Sequence, residues 1–314
     1  MELIRGLHNL RPRHRGCVVA QGAFDGVHCG HQMVLEQLKE KGRELGLPTT
    51  VACFEPLPRE YFAPAEAPAR LMSFREKFAV LRDLGIDRML RIPFKPSFAL
   101  VEAADYVRLV FRDGLGAKHV VLGDDQRFGK GRQGDIELMR TLGQEYGFEV
   151  EAMKSLGVGG ARISSTRIRE VLAQGGFALA TELLGRPYSM TGRVMMGKQL
   201  GRTLNAPTAN VHLHRLKAPL AGVYAVEIDG AGPHKEVGVA NVGTRPTIGD
   251  LTKAILEVHV LNFNGDLYHR NLTVTFRKKL REQPFRRTPI TVCPNSVSLV
   301  ALPHQSGLRL DCFS

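Results

Sequence analysis

The 314-residue sequence predicts an α/β protein in two parts, a parallel helix-covered sheet followed by a small antiparallel β-barrel. Two observations carry that prediction. Through the first half, short apolar runs alternate with helical patterns, and a βαβα order implies parallel strands covered on both faces. Near residue 186 the period switches to two, with turn residues such as Asn264-Gly265 between the runs, the pattern of antiparallel strands. No internal repeat or low-complexity linker separates the parts, so two touching modules are expected, 1–185 and 186–283, with 284–314 as an atypical tail.

Each element follows from its residues. "CVVAQGAF" reads as a buried strand, and "HQMVLEQLKEKGREL" as a helix with Leu35, Leu38 and Leu45 on one stripe. "TTVACFEP" is the next strand, closed by Pro56 and Pro58. "SFREKFAVLRDLG" and "ADYVRLVFRDGLG" read as helices ended by glycine, while "KHVVLGDD" and "FEVEAM" read as strands. A helical "TRIREVLAQGGFALATELLG" closes the first part, after which "GVYAVEI", "KEVGVANVG", "KAILEVHVLNF" and "NLTVTF" alternate as barrel or sandwich strands.

Composition narrows the function classes. With 43% hydrophobic and 24% charged residues the chain can bury full cores. No apolar run approaches the roughly 18 residues of a membrane span, and the first ten residues lack a secretory h-region, so a cytoplasmic protein without membrane contact is expected. Cys17, Cys29, Cys53, Cys293 and Cys312 show no CxxC pairing, which argues against structural zinc. The formal charge of +12 attracts polyanions, but no RRM, KH or zinc-finger pattern accompanies it. Phosphorylated small molecules, with no nucleic-acid partner, are therefore the expectation; these features leave the oligomeric state open.

"GAFDGVHCGHQ" supplies the first constellation. If a strand ends at Phe24 and a helix begins near Gly30, His28 and His31 lie at a helix N-terminus, where free N–H groups and the dipole favour an anion. Gly22 and Gly30 allow close backbone approach, and imidazoles kept neutral there would donate hydrogen bonds to charge building on a phosphate. The plain alternative is two histidines capping a helix. "ARISSTRIRE" adds a second helix start at Ser164, Ser165 and Thr166, with Arg169 one turn in. HxGH followed far downstream by ISSTxxR resembles the nucleotidylyltransferase superfamily, whose sheet is Rossmann-like. With "GDDQRFGKGRQGD" and "GVGGARISSTRIRE" added, the match narrows to the adenylyltransferase module of bacterial bifunctional riboflavin kinase/FAD synthetases.

That resemblance implies attack of the FMN phosphate on the α-phosphorus of Mg-ATP, giving FAD and pyrophosphate. It implies that His28, His31 and Arg169 are catalytic and that Gly22, Phe24, Asp25, Gly30, Asp125, Arg162, Ser165 and Thr166 bind ATP or FMN. Gln126 stands where many relatives carry an aromatic residue, a departure beside Asp125.

The barrel half carries "GKQLGRTLNAPTAN", "NVGTRPTIG" and "ILEVHVLNFNGDLY". In "AILEVHV", Leu256, Val258 and Val260 share one face, so Glu257 turns to the other with Ile255 and His259. A carboxylate there could take a proton from a hydroxyl; otherwise it is a solvated acid on an ordinary strand. Pro207 stiffens a turn from which Thr208 and Asn210 offer two oxygens on one side, suited to Mg²⁺. These segments resemble the riboflavin kinase module of the same family. The resemblance implies Thr208 and Asn210 as metal ligands and Glu257 as base for the riboflavin 5′-hydroxyl. It also places Gly197, Lys198 and Gly201 in a nucleotide loop, Pro207 at the cofactor, and Arg281 as the last mapped contact. Asn205 stands where glycine is usual, a mild change because Asn tolerates left-handed backbone.

Two motifs are set aside. "GRVMMGKQ" fits GxxxxGK but places Gln199 where a P-loop needs Ser or Thr, amid β-barrel segments. "GKGRQG" fits GxGxxG, yet "DDQRF" separates it from the preceding strand. The family pattern ends near Leu280. From Pro284 to Ser314 four prolines, Pro284, Pro289, Pro294 and Pro303, preclude the helix expected there, as in a changed reading frame, and poor order is expected. The expected function is thus riboflavin to FMN and FMN to FAD. Three rivals remain: the adenylyltransferase step alone, another HxGH transferase with a different acceptor, and a flavin-nucleotide-binding regulator without turnover.

Overall fold

The computed structural model describes residues 1–123, 125–153, 157–195, 208–246, 252–263, 265–282, 290–292, 300–304 and 307–311. Strands and helices alternate first: β1 (Glu2–Arg5), β2 (Cys17–Gln21), α1 (Cys29–Leu45), β3 (Thr49–Phe54), α2 (Pro58–Phe62), α3 (Phe74–Asp83) and β4 (Arg88–Ile92). There follow α4 (Pro96–Ala99), α5 (Ala103–Val107), β5 (Ala117–Gly123), α6 (Ile136–Tyr146) and β6 (Glu149–Met153). The six strands are parallel in the order β1-β4-β3-β2-β5-β6. β2 is buried along its whole length, which is why it reads as a continuous apolar run. β1 and β4 are missing from the sequence reading because arginines interrupt both, "ELIR" and "RMLRI".

α1 buries Val34, Leu35, Leu38 and Gly42 and ends at Gly46, whose φ of 64° is the left-handed cap that glycine permits. Leu45, expected on the buried stripe, is instead 41% exposed as the last residue of α1. α5 continues into a π-helical stretch over Arg108–Gly114, and the expected single helix is split in geometry there.

A small hairpin, β7 (Gly157–Val158) and β8 (Ala161–Arg162), leads into α7 (Ser165–Ala173) and α8 (Phe177–Leu184). The expected continuous helix is broken at Gly175-Gly176, Gly175 having a φ of 78°. Then come β9 (Ser189–Met195), β10 (Ala209–His212), β11 (Gly222–Asp229), β12 (Glu236–Pro246), β13 (Thr252–Val260) and β14 (Asn271–Arg281). They close an antiparallel barrel in the order β10-β13-β12-β11-β14-β9. Tyr224, Leu256, Val258, Leu272, Val274 and Phe276 fill it, each at most 1% exposed, and each contributes about 1.5–3 kcal/mol on burial. Within the tail, β15 (Ile290–Val292), β16 (Val300–His304) and β17 (Gly307–Asp311) form a three-stranded sheet; the tail's other residues lie outside those described.

The chain divides into two compact units, Met1–Pro68 with Phe74–Ser165, and Ala69–Ser73 with Thr166–Ser314. Most of α7 and all of α8 therefore group with the barrel, although they precede residue 185. Phe177 of α8 stacks on Phe276 at 6.3 Å and meets Tyr224 edge-on at 5.8 Å, which ties that helix to the barrel core. The short Ala69–Ser73 strap joins the same unit through buried Arg215, whose Nη1 donates to the carbonyls of Arg70 and Leu71 at 3.2 and 3.1 Å.

Candidate active sites

From β2 the sheet grows one way through β3 and β4 and the other way through β5 and β6, so strand order reverses beside β2. In a parallel sheet the crevice beyond the carboxyl ends at that switch is the ligand position. Gly22 follows β2 there, and Gly123 ends β5 on the neighbouring strand, with Gln21 paired to Leu122. A concavity of about 860 Å³ lined by Lys118, Gly147 and Glu149 lies instead at the amino ends of β5 and β6, away from this crevice.

The loop from Gly22 to His28 is built against ordinary backbone preference. Phe24 and Val27 have φ of 46° and 41°, and Gly26 a φ of 85°. Left-handed non-glycine residues cost about 1–3 kcal/mol each and persist where packing over-determines them. Phe24 is 1% exposed, and Lys77, also 1% exposed, donates through its ammonium to the Ala23 carbonyl at 2.5 Å.

His28 is the N-cap of α1: its Nδ1 accepts the His31 backbone N–H at 3.3 Å. A neutral ring accepting at Nδ1 carries its proton on Nε2. His31 stacks on it with centroids 3.6 Å apart and 16° between planes, and tilts against Phe24 at 5.1 Å. Burial first, then the neighbouring His28 and Lys77, hold the His31 imidazole well below the ordinary histidine range, and among the described residues its buried Nδ1 has no hydrogen-bond partner. His31 is therefore neutral at pH 7. The capping expectation holds for His28, whose imidazole closes the helix turn, and the stacked pair stands at the helix's positive end.

The second helix start reaches the same place. Ser165 Oγ donates to the carbonyl of Asp25 at 2.8 Å. A Cβ on Gly30 would lie 3.3 Å from the His28 ring and 4.0 Å from the Ile163 carbonyl oxygen, so the segment before α7 rests against the first turn of α1. Asp25 is buried, whereas Arg162 and Asp125 are exposed and pair at 3.7 Å, a contact of small energetic weight. Thr166 is exposed on the first turn of α7. Arg169 belongs to the barrel-containing unit, where its Nε donates to the Ala69 carbonyl at 2.5 Å, a backbone duty the sequence did not suggest.

The sequence reading also passed over an aromatic cluster at the carboxyl end of β3. Phe54, Tyr61, Phe62, Phe94, Phe98 and Tyr106 contact one another with centroids 5.3–6.3 Å apart, and Phe62 is 65% exposed. The adjacent Tyr61-Phe62 pair among prolines was its available signal.

On the barrel, Leu256, Val258 and Val260 face inward and Glu257 turns the other way. Asn210 and Asn241 are its partners on the two neighbouring strands, and the Asn241 amide donates to Glu257 Oε2 at 3.3 Å. Ala209 and Val211 are buried while Thr208 is exposed and Asn210 half-buried, so the two predicted oxygen donors lie on Glu257's face. Among the described residues no group of three or more His, Cys, Asp or Glu side chains could hold a metal. Neutral oxygens beside one carboxylate fit Mg²⁺, which keeps waters and phosphate oxygens in its shell. Arg281 ends β14. Gly197, Lys198, Gly201, Asn205 and Pro207 lie outside the described residues.

Comparisons to known proteins match both halves of the chain. The FAD synthetase family model matches residues 10–167 and the riboflavin kinase model residues 184–287. A bifunctional riboflavin kinase/FMN adenylyltransferase of Pseudomonas fluorescens is 50% identical over 283 residues, 90% of each chain. Proteins of that description from Escherichia coli K12 and Haemophilus influenzae are 46% and 43% identical, covering 90% of this chain and 90% and 92% of theirs. A solved structure described as a macrolide-efflux protein from Streptococcus pneumoniae superposes with a TM-score of 0.72 at 28% identity, over 92% of this chain and 94% of that one. No helix among the described residues is long and apolar enough to cross a membrane.

Proposed function

The chain belongs to the bifunctional riboflavin kinase/FMN adenylyltransferase family and makes FMN from riboflavin and FAD from FMN with ATP; on that premise we propose which residues carry each step. FAD formation takes place at the α1 cradle. A phosphate oxygen of FMN attacks the α-phosphorus of ATP, the bond to the β-phosphate oxygen breaks, and pyrophosphate leaves. The nucleophile is already ionised, so the step needs charge stabilisation rather than a base. His28 through Nε2–H, the neutral His31 ring and the free N–H groups of α1 donate to the α-phosphate as charge builds. Gly22, Phe24, Asp25 and Gly30 shape the loop, and Ser165, Thr166, Arg162, Asp125 and Arg169 complete the hold on ATP and FMN phosphates. The exposed Phe62 edge of the aromatic cluster offers the flavin ring a stacking surface. The Ser165 to Asp25 hydrogen bond supports this reading most, since it ties the segment that leads into α7 to the loop before α1.

Riboflavin phosphorylation takes place on the outer barrel face. Glu257 accepts the 5′-hydroxyl proton through Oε1 while Asn241 occupies Oε2, and the hydroxyl oxygen attacks the γ-phosphorus with ADP leaving. Thr208 and Asn210 would hold Mg²⁺, which neutralises phosphate charge when bound. Gly197, Lys198, Gly201, Pro207 and Arg281 complete the nucleotide site. The division into a 1–185 adenylyltransferase, a 186–283 kinase and a divergent 284–314 tail, a cytoplasmic location, and small-molecule rather than nucleic-acid partners belong to the same proposal.

Incubation with riboflavin or FMN and Mg-ATP, with chromatographic separation of products, tests the assignment through two variants. His31→Ala should lose FAD formation from FMN and keep FMN formation from riboflavin, and Glu257→Gln should do the reverse. Either variant keeping both activities removes that residue from its role.

A further inference from the structure

Lys77 has no assigned role, and its setting is unusual. Lysine is almost never fully buried unless paired with a carboxylate. Here the residue is 1% exposed, yet among the described residues the one hydrogen bond of its ammonium goes to the neutral Ala23 carbonyl, and no Asp or Glu lies within ion-pair distance. An uncompensated buried cation is expensive, so a fold that retains one has a use for the charge. The charge stands behind the Gly22–His28 loop, near enough to disfavour a proton on His31. His31 Nδ1 in turn is buried with no partner among the described residues. A cation without an anion and a polar ring atom without a partner, both at the positive end of α1, describe a site whose missing component is negative.

We propose that Lys77 is a positioning residue that supplies the fixed positive charge of the phosphate cradle, acting through the Ala23 loop and through space rather than by touching the nucleotide. It rests on the reading that adenylyl transfer occurs at His28 and His31. The anion recognised is a polyphosphate, ATP before reaction and pyrophosphate after it. Because Lys77 is shielded from solvent, its field is little screened by water, and its hydrogen bond holds the left-handed loop in the shape that receives the phosphates.

Full-length Lys77→Gln, Lys77→Arg and Lys77→Met test this by calorimetric titration with inorganic pyrophosphate alongside both rate assays. Gln can keep a donor toward Ala23 without the charge; Arg keeps the charge. A unit charge within about 10 Å at an effective dielectric near 20 alters anion affinity by about tenfold or more. Lys77→Gln and Lys77→Met should therefore bind pyrophosphate at least about tenfold more weakly and raise KM for ATP in FAD formation, while Lys77→Arg recovers most of the affinity and riboflavin phosphorylation stays unchanged. Pyrophosphate affinity in Lys77→Gln equal to that of the unmodified protein overturns the proposal. Should the variants fail to fold, the ¹⁵N ammonium resonance of Lys77 in the unmodified protein should shift on pyrophosphate addition, and an unmoved resonance overturns it equally. His31→Ala separates the two readings: full FAD formation there would remove the cradle itself, whereas its loss together with a silent Lys77→Gln removes only the lysine.

Discussion

On the proposed assignment His28 and His31 share the phosphate but not the structural duty, and their alanine variants should part on stability while agreeing on rate. His28→Ala removes the cap of α1, worth about 1 kcal/mol, and the ring stack at 3.6 Å, worth about 0.5–1.5 kcal/mol. The sum is about 1.5–2.5 kcal/mol. His31→Ala loses the same stack but also deletes a buried Nδ1 that has no partner among the described residues and whose desolvation costs about 1–3 kcal/mol, so its net change runs from about 0.5 kcal/mol destabilising to about 2.5 kcal/mol stabilising. At about 2–4 °C per kcal/mol for a unit of this size, His28→Ala should melt about 3–10 °C lower and His31→Ala no more than about 2 °C lower than the unmodified protein. Both should lose about 10²–10³-fold in the FMN-to-FAD rate, as when one donor to a transition-state oxyanion is removed. Because both act on one phosphate, the double variant should lose less than the product of the two. Thermal melts with paired rate assays measure all of this, riboflavin phosphorylation serving as the internal control. Equal melting of the two single variants, or a fully multiplicative double variant, would refute the division of labour.

Other consequences are as direct. The depressed proton affinity of His31 means that the unfolded chain binds the extra proton first as pH falls below about 6.5, so its stabilising contribution is complete above that pH and lost below it. Melts from pH 7.5 to 5 should show a shallower fall in His31→Gln than in the unmodified protein, and identical slopes would count against the buried neutral ring. Gly192→Ala places a Cβ 2.3 Å from the His212 carbonyl oxygen, forcing β9 and β10 apart at a cost of about 1–3 kcal/mol. Circular dichroism should show a lower barrel transition, with FMN formation reduced more than FAD formation. Asn241→Ala leaves Glu257 Oε2 without its donor, and kcat for FMN formation should fall about tenfold with little change in KM for riboflavin. A change confined to KM would place Asn241 in binding instead.

Much of this was legible because buried parallel strands and period-two barrel strands write themselves plainly: Cys17–Gln21 and Thr49–Phe54 are mostly apolar and buried almost throughout, and Leu256, Val258 and Val260 alternate with Glu257. The paired histidines were legible too, since HxGH sits where a strand runs into a helix. Lys77 was not. In "SFREKFAVLRDLG" it resembles any solvated helix lysine, and only three-dimensional packing reveals that its ammonium turns inward to Ala23. Asn241 was hidden for a similar reason, because cross-strand register rather than spacing along the chain brings it to Glu257. Likewise Tyr61, Phe62 and Phe94 are brought together by separate segments, and Arg169 reads as a phosphate ligand from its helix position while its bond to Ala69 comes from a distant strap.

A crystal structure of the protein with a non-hydrolysable ATP analogue tests the central claim most directly. The α-phosphate should lie against the His28 and His31 rings at the first turn of α1, within hydrogen-bond reach of Nε2 of His28 and beside Ser165. A triphosphate in the parallel-sheet domain seated away from that turn, with both imidazoles and the Ser165 segment left untouched, would contradict it.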